Sequence, residues 1–159
     1  MSGWTKPPQR VSGTWVCFRQ TSPRWPALFH DAGAQRPQQE SGRWNRLGES
    51  YAQYLSVSPA GAWAELLRYL SIHTAEVAVE QRRHLWAVTV VEHDIADLTT
   101  FARWDACGLD PAIAVGEHTR SQAVADDLRA TGYRGLLAPS AALPGAVNLT
   151  VTINCSTRA

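Results

Sequence analysis

The chain has 159 residues with 15 Lys+Arg against 14 Asp+Glu, a formal net charge of +1. That length suits one domain with its own core, and the charge balance excludes the broad basic surface of a nucleic-acid binder. Hydrophobic residues make up 45% and charged residues 18%, as in soluble globular proteins, and no apolar run reaches the about 18 residues that span a membrane.

Residues 1–13 are polar and carry Pro7 and Pro8, which predicts a flexible N-terminal arm ahead of a single domain over 14–159. Thr14–Arg19 reads as the first strand. Pro23 to Glu40 reads as a long loop, with a turn of helix around Ala27 to His30. A binding loop and a tolerated insertion explain it equally well. Gly42 and Gly48 then bracket a second loop, followed by a short strand over Tyr51–Val57, rich in aromatic and aliphatic residues. Ser58 and Pro59 start a helix as N-cap and first helical residue, and it runs to about Leu70. Ala62, Trp63, Leu66, Leu67, Tyr69 and Leu70 form its apolar stripe, and Glu65 stands one step off it. This unit presents the guanidinium of Arg43, the phenol of Tyr54 and the carboxylate of Glu65. Spacing alone favours a structural Arg43–Glu65 pair beside a core tyrosine.

Ser71 to Gln81 continues or follows that helix. Leu85–Val91 is strongly apolar and predicts a central strand. Ile95 to Leu109 predicts short helical turns ending near Gly108. Ser121–Ala130 predicts a helix that buries Ala123, Val124 and Leu128 and stops before Gly132. Gly135–Ala141 is a strand that breaks at Pro139, and Val147–Ile153 alternates with period two as the last strand. Strands and helices do not alternate strictly, so the fold class is α+β.

Cys17, Cys107 and Cys155 form no CxxC and follow no secretory signal, which predicts free thiols in a reducing, cytoplasmic setting. The sequons at Asn148 and Asn154 carry no weight without secretion. The histidines lack paired ligand spacing, so no metal is expected. Neither a dinucleotide-fold glycine motif nor a P-loop is present, and Ser140 sits in no GxSxG. Lys6 is the only lysine. Arginine gives two-pronged recognition of phosphate or carboxylate, and composition bias explains its excess as well.

Five pieces of sequence in a fixed order carry a family likeness. They are Phe18-Arg19; Gly42-Arg43-Trp44-Asn45 with Gly48; Tyr54-Leu55-Ser56; Ala64-Glu65; and Gly135-Leu136-Leu137-Ala138-Pro139-Ser140-Ala141 with Asn148-Leu149 behind. The step from Arg43 to Tyr54 equals that from Tyr54 to Glu65. Over almost the whole chain it resembles the RES domain family, toxins of bacterial Xre–RES toxin–antitoxin pairs. It departs at Ser41, where a second glycine is common, and at Gln20, where some members carry an aromatic residue.

The resemblance implies an ADP-ribosyltransferase-like split mixed β-sheet with flanking helices that cradles NAD. It implies an NAD-consuming toxin enzyme that cleaves the nicotinamide–ribose bond and passes ADP-ribose to phosphate, water or a protein acceptor. NAD is then a substrate, and no metal is required. Glu65, Arg43 and Tyr54 would be catalytic. Arg19 and Arg43 would bind the pyrophosphate and Tyr54 would stack on nicotinamide. Ser140 would hydrogen-bond ribose or nicotinamide, with Ser56 competing for that role. The expected partner is an Xre-type antitoxin, to which any DNA binding would belong, and a second copy of the chain is a further candidate. A non-catalytic module of the same fold that binds a nucleotide or a partner is the alternative.

Overall fold

Exposed and shielded residues alternate from Arg10 to Cys17, and the first strand follows that alternation well upstream of Thr14. The computed structural model describes residues 3–28, 40–47 and 51–153. In it β1 is Gln9–Thr21, β2 Tyr51–Ser56, β3 His84–Asp97, β4 Gly135–Pro139 and β5 Val147–Ile153. The helices are α1 Pro59–Tyr69, α2 Ala75–Val79, α3 Phe101–Ala106 and α4 His118–Ala130, with a 3-10 turn at Pro111–Ala114. Among the described residues no helix is long and apolar enough to cross a membrane.

The strands form one mixed sheet in the order β1-β2-β5-β4-β3, closed into a ring. β3 and β4 run parallel and every other pairing is antiparallel. The expected split appears only as a thin seam: β1 and β2 meet at one residue pair, Phe18↔Ser56. Cys17, Leu55, Ile95, Leu137, Leu149 and Val151 fill the inside of the ring. On the outside, α3, α4 and the turn between them pack Trp104, Ile113, Val124 and Leu128 against Leu136 and Ala138.

Several sequence expectations change here. The residues predicted as a loose arm are docked from Gly3 onward. Gly3 N–H donates to Asp127, Thr5 N–H to the Cys107 carbonyl, and the Tyr133 hydroxyl to the Pro8 carbonyl. The strand predicted as central over Leu85–Val91 begins at His84 and, among the described residues, has a β neighbour on one edge only. β4 reaches no further than Ile95–Asp97, so His84 to Asp94 pairs with β1 alone as a two-stranded ribbon. Its outer face is open, with Val91 72% and Val16 58% exposed. A register shift between Val11 and Gly13, opposite Asp94 at φ 57°, bends the ribbon into the ring.

Thr74 caps α2 as a separate helix, because Ser71 at φ 54° ends the preceding turn. The helical turns expected from Ile95 begin only at Phe101, since Ile95–Asp97 completes β3. α4 starts at His118, three residues early, and buries Ser121, Gln122 and Ala125 with Val124 and Leu128, whereas Ala123 faces solvent. β4 ends at Pro139, so Ser140 already lies in the following turn. Cys17 and Cys107 are free and buried, and burial pushes the Cys17 thiol up to about 11. Cys155, Asn154, Gly48 and most of the long loop, including His30, lie outside the described residues.

Candidate functional site

The site rests on the alternation of β2. Gln53 and Leu55 turn to the ring interior, so Tyr54 and Ser56 must turn outward. Phe18 pairs with Ser56 and Ser56 with Asn148, which makes one cross-strand row. Tyr54 pairs with Thr150 as a second row, and Gln20, on the strand face of Phe18, lines the same cleft. These six residues form the floor of a cleft of about 490 Å³, a size that suits a small organic ligand. α1 forms one wall through Ala62, Glu65, Leu66 and Tyr69, and the segment Glu40–Asn45 with His118 forms the other.

α1 is placed by its own first turn. The Ser58 hydroxyl accepts the Gly61 N–H at 3.0 Å, and Pro59 occupies the first helical position. A Cβ at Gly61 would lie 2.2 Å from the Ser56 hydroxyl, so any larger residue would force that hydroxyl or the helix to shift. The opposite wall is built around the Tyr54 hydroxyl. It donates to Asn45 Oδ1 at 2.7 Å and accepts the Trp44 N–H at 2.8 Å. Gly42 bridges Asn45, and its missing side chain leaves room for that hydroxyl, which a Cβ would approach to 2.5 Å. Gln122 of α4 donates to Ser41 Oγ and to the Gly42 carbonyl, both at 2.8 Å. Burial pushes the Tyr54 phenol up to about 12, so it stays protonated as the donor this wall needs.

Glu65 does not pair with Arg43 within ion-pair distance. Its Oε1 accepts the Ser140 hydroxyl at 2.6 Å and Asn148 Nδ2 at 2.7 Å. No bond to Oε2 forms among the described residues, so that oxygen is free for a ligand. Arg43 Nη1 donates to the Gly116 carbonyl at 2.8 Å, while Nη2 is buried without a partner. Arg68 and His118 also line the cleft, and their side chains have no hydrogen-bond or ion-pair partner among the described residues. Burial lowers the pKa of Arg43, and the charge of Arg68 lowers it further. Burial likewise lowers that of His118, with Arg43 and Arg68 adding to the effect. His118 is thereby kept neutral, while Arg43 and Arg68, with no carboxylate within ion-pair distance among the described residues, give this end of the cleft positive charge that suits an anion.

The structure brings Arg43, Tyr54, Ser56 and Glu65 to one cleft. Arg19 borders it at the β1–β2 seam but lies on the opposite face of its strand from Phe18 and Gln20. Its guanidinium donates to Gln53, and burial lowers its pKa. The structure engages Ser140 within the protein. Its hydroxyl donates to Glu65 and accepts the N–H groups of Ala142 and Leu143, both at 3.1 Å, so all its capacity is used. Its bond to Oε1 holds the Glu65 carboxylate. Ser56 Oγ accepts only a long 3.4 Å contact from Ser58 N–H and keeps its own proton free.

Sequence reasoning missed Gln20, Arg68 and His118 as cleft residues. Arg68 was findable, since three residues after Glu65 it shares a helix face, and Gln20 shares the strand face of Phe18. Nothing local marks His118. Among the described residues the buried side-chain N and O atoms without a partner are Gln20 Nε2 and Oε1, Arg43 Nη2 and Asn148 Oδ1. All belong to this one cleft. Buried polar groups are nearly always paired, so a cluster of exceptions marks a place where a polar ligand completes the bonding.

Comparison with known proteins gives the same direction. The chain is 32% identical over 151 residues to a probable NAD(+) phosphorylase of Mycobacterium tuberculosis, covering 94% of this chain and 69% of that protein. Its fold is similar to a chain in the crystal structure of the M. tuberculosis MbcT–MbcA toxin–antitoxin complex, with a TM-score of 0.70 and 27% identity. That match covers 90% of this chain and 76% of the other. The RES domain profile matches residues 14–156, nearly the full length, and the chain belongs to the RES domain family.

Proposed function

We propose that this protein is an NAD-consuming toxin enzyme that breaks the nicotinamide–ribose bond and transfers ADP-ribose to inorganic phosphate. One observation carries the reading: the unpartnered polar atoms of Gln20, Arg43 and Asn148 belong to the same cleft as Glu65, whose Oε2 is free. NAD offers what these groups lack. Its pyrophosphate is an acceptor for Arg43 Nη2, with Arg68 adding charge and Arg19 adding its own at the seam. Its ribose hydroxyls can donate to Asn148 Oδ1. The face of the Tyr54 ring can stack on nicotinamide while its hydroxyl stays on the loop.

The bond between nicotinamide N1 and ribose C1′ breaks with its electron pair going to the ring, which leaves as neutral nicotinamide. The sugar passes through an oxocarbenium-like state, as in glycoside cleavage. Glu65, held through Oε1 by Ser140 and Asn148, offers the charge of its carboxylate to that state. A phosphate oxygen then bonds to C1′ and gives ADP-ribose 1″-phosphate. The name of the mycobacterial relative favours phosphate over water or a protein side chain. The solved toxin–antitoxin complex favours an antitoxin partner; its being of Xre type and covering the cleft, and a second copy of the chain as a further candidate partner, belong to the same proposal. An ADP-ribosyltransferase-like ancestry of the sheet is part of the same proposal.

The test is nicotinamide release from NAD by the purified chain, with and without phosphate, and mass analysis of the second product. Phosphate-dependent release with the phosphorylated sugar supports the reading, and unphosphorylated ADP-ribose moves the acceptor to water. A folded protein that leaves NAD intact, and whose expression without antitoxin leaves growth and cellular NAD unchanged, rules it out.

A further inference from the structure

Gln20 has both polar atoms of its side chain buried and unpartnered, one donor and one acceptor on the same planar group. An amide buried in this state is destabilising unless something completes it. The complement is a ligand edge with an acceptor and a donor side by side in one plane. Resting on the NAD reading above, we propose that Gln20 recognises the nicotinamide carboxamide by a pair of amide–amide hydrogen bonds and so selects amide-bearing over acid-bearing dinucleotides.

NAD has two such edges, the carboxamide and the amino edge of adenine, which glutamine also reads. Position in the sheet decides between them. The bond that breaks must lie at Glu65, which is anchored on Asn148 of β5. Asn148 pairs with Ser56, and Ser56 with Phe18 on the strand that carries Gln20. Two strand spacings of about 4.8 Å set β1 some 10 Å from Asn148. That is the reach of a nicotinamide ring attached to a ribose seated on Glu65. Tyr54 lines the same cleft as Gln20 and offers a ring face to the ligand. Adenine lies beyond the pyrophosphate, which is drawn to the guanidinium groups of Arg43 and Arg68 and not to the uncharged Gln20. A nicotinic acid ring in the same place would set a carboxylate oxygen against Gln20 Oε1, acceptor against acceptor, and be rejected.

Calorimetry with NAD, nicotinic acid adenine dinucleotide and nicotinamide hypoxanthine dinucleotide tests this. The wild-type chain is expected to bind NAD about a hundred-fold more tightly than the acid analogue, and the hypoxanthine analogue about as well as NAD. Gln20→Met, similar in volume, should shrink the preference to about five-fold or less and raise the melting temperature of the free protein, because two unpartnered atoms are gone. If Gln20→Met does not fold, Gln20→Glu serves instead. Its carboxylate still accepts from the amide NH₂ and repels the acid, so the preference should widen. Equal affinity of the wild type for NAD and the acid analogue overturns the proposal, as does a preference untouched by either substitution. A Gln20-dependent loss confined to the hypoxanthine analogue assigns the residue to adenine and also overturns it. Should the wild type bind none of the three, the NAD reading falls and this inference with it.

Discussion

At the residue scale, the site depends on how each charge is held. Both donors to Glu65 fall on Oε1, from Ser140 and Asn148. In Glu65→Gln an amide oxygen can still accept them, so the substitution removes charge and little else. We expect the rate of nicotinamide release in a single turnover to fall by two to four powers of ten, about 3–5 kcal/mol of barrier, with NAD affinity little changed. Near-normal turnover would take Glu65 out of the chemistry. Arg43 has the complementary arrangement: one nitrogen on the Gly116 carbonyl, the other buried and open. Arg43→Ala should cost about 1.5–3 kcal/mol of NAD binding and only about 1 kcal/mol of folding stability. A collapse of the melting temperature with binding intact would give the residue a purely structural role. Arg43, Tyr54 and Glu65 were legible in the sequence as a motif. What Ser140 does was not, because its partner is 75 residues away and only the fold makes them neighbours.

At the element scale, α1 was legible almost to the residue, from Pro59 to Tyr69, because its signals are local: a serine cap, a proline in the first turn and an apolar stripe. The reason for Gly61 was not. In a free helix, alanine there would be favoured by roughly 0.5–1 kcal/mol. Against β2 its Cβ would meet the Ser56 hydroxyl at 2.2 Å. Gly61→Ala is therefore expected to destabilise the protein by about 1–3 kcal/mol in denaturant unfolding and to lower activity by shifting Glu65. Stabilisation would show that α1 can lift from the sheet without loss. β3 shows the opposite error. Its apolar run has the composition of a buried central strand, yet composition says nothing about which edges find a neighbour. The strand outruns β4, so all of it before Ile95 became an open ribbon with β1.

At the scale of the whole molecule, the ring closes where β4 squeezes between β3 and β5. Gly135 is opposite both Ile95 and Val151 there, and a Cβ would lie 2.2 Å from the Thr150 carbonyl oxygen. Backbone cannot swing aside as a side chain can. Gly135→Ala should therefore cost about 3 kcal/mol or more, measured by chemical unfolding, and an unchanged midpoint would mean the ring is not locked at this point. The sequence by itself determined the α+β class, the elements with local signals and the motif residues, because caps, alternation and stripes act within a few neighbours along the chain. It could not determine ring closure, the docking of residues 3–13, the inward turn of Arg19 or the unpartnered amide of Gln20. Those follow from strand register and from contacts between residues far apart in sequence. A side chain's burial and bonding depend on which distant strands lie beside it, and only the tertiary structure decides that.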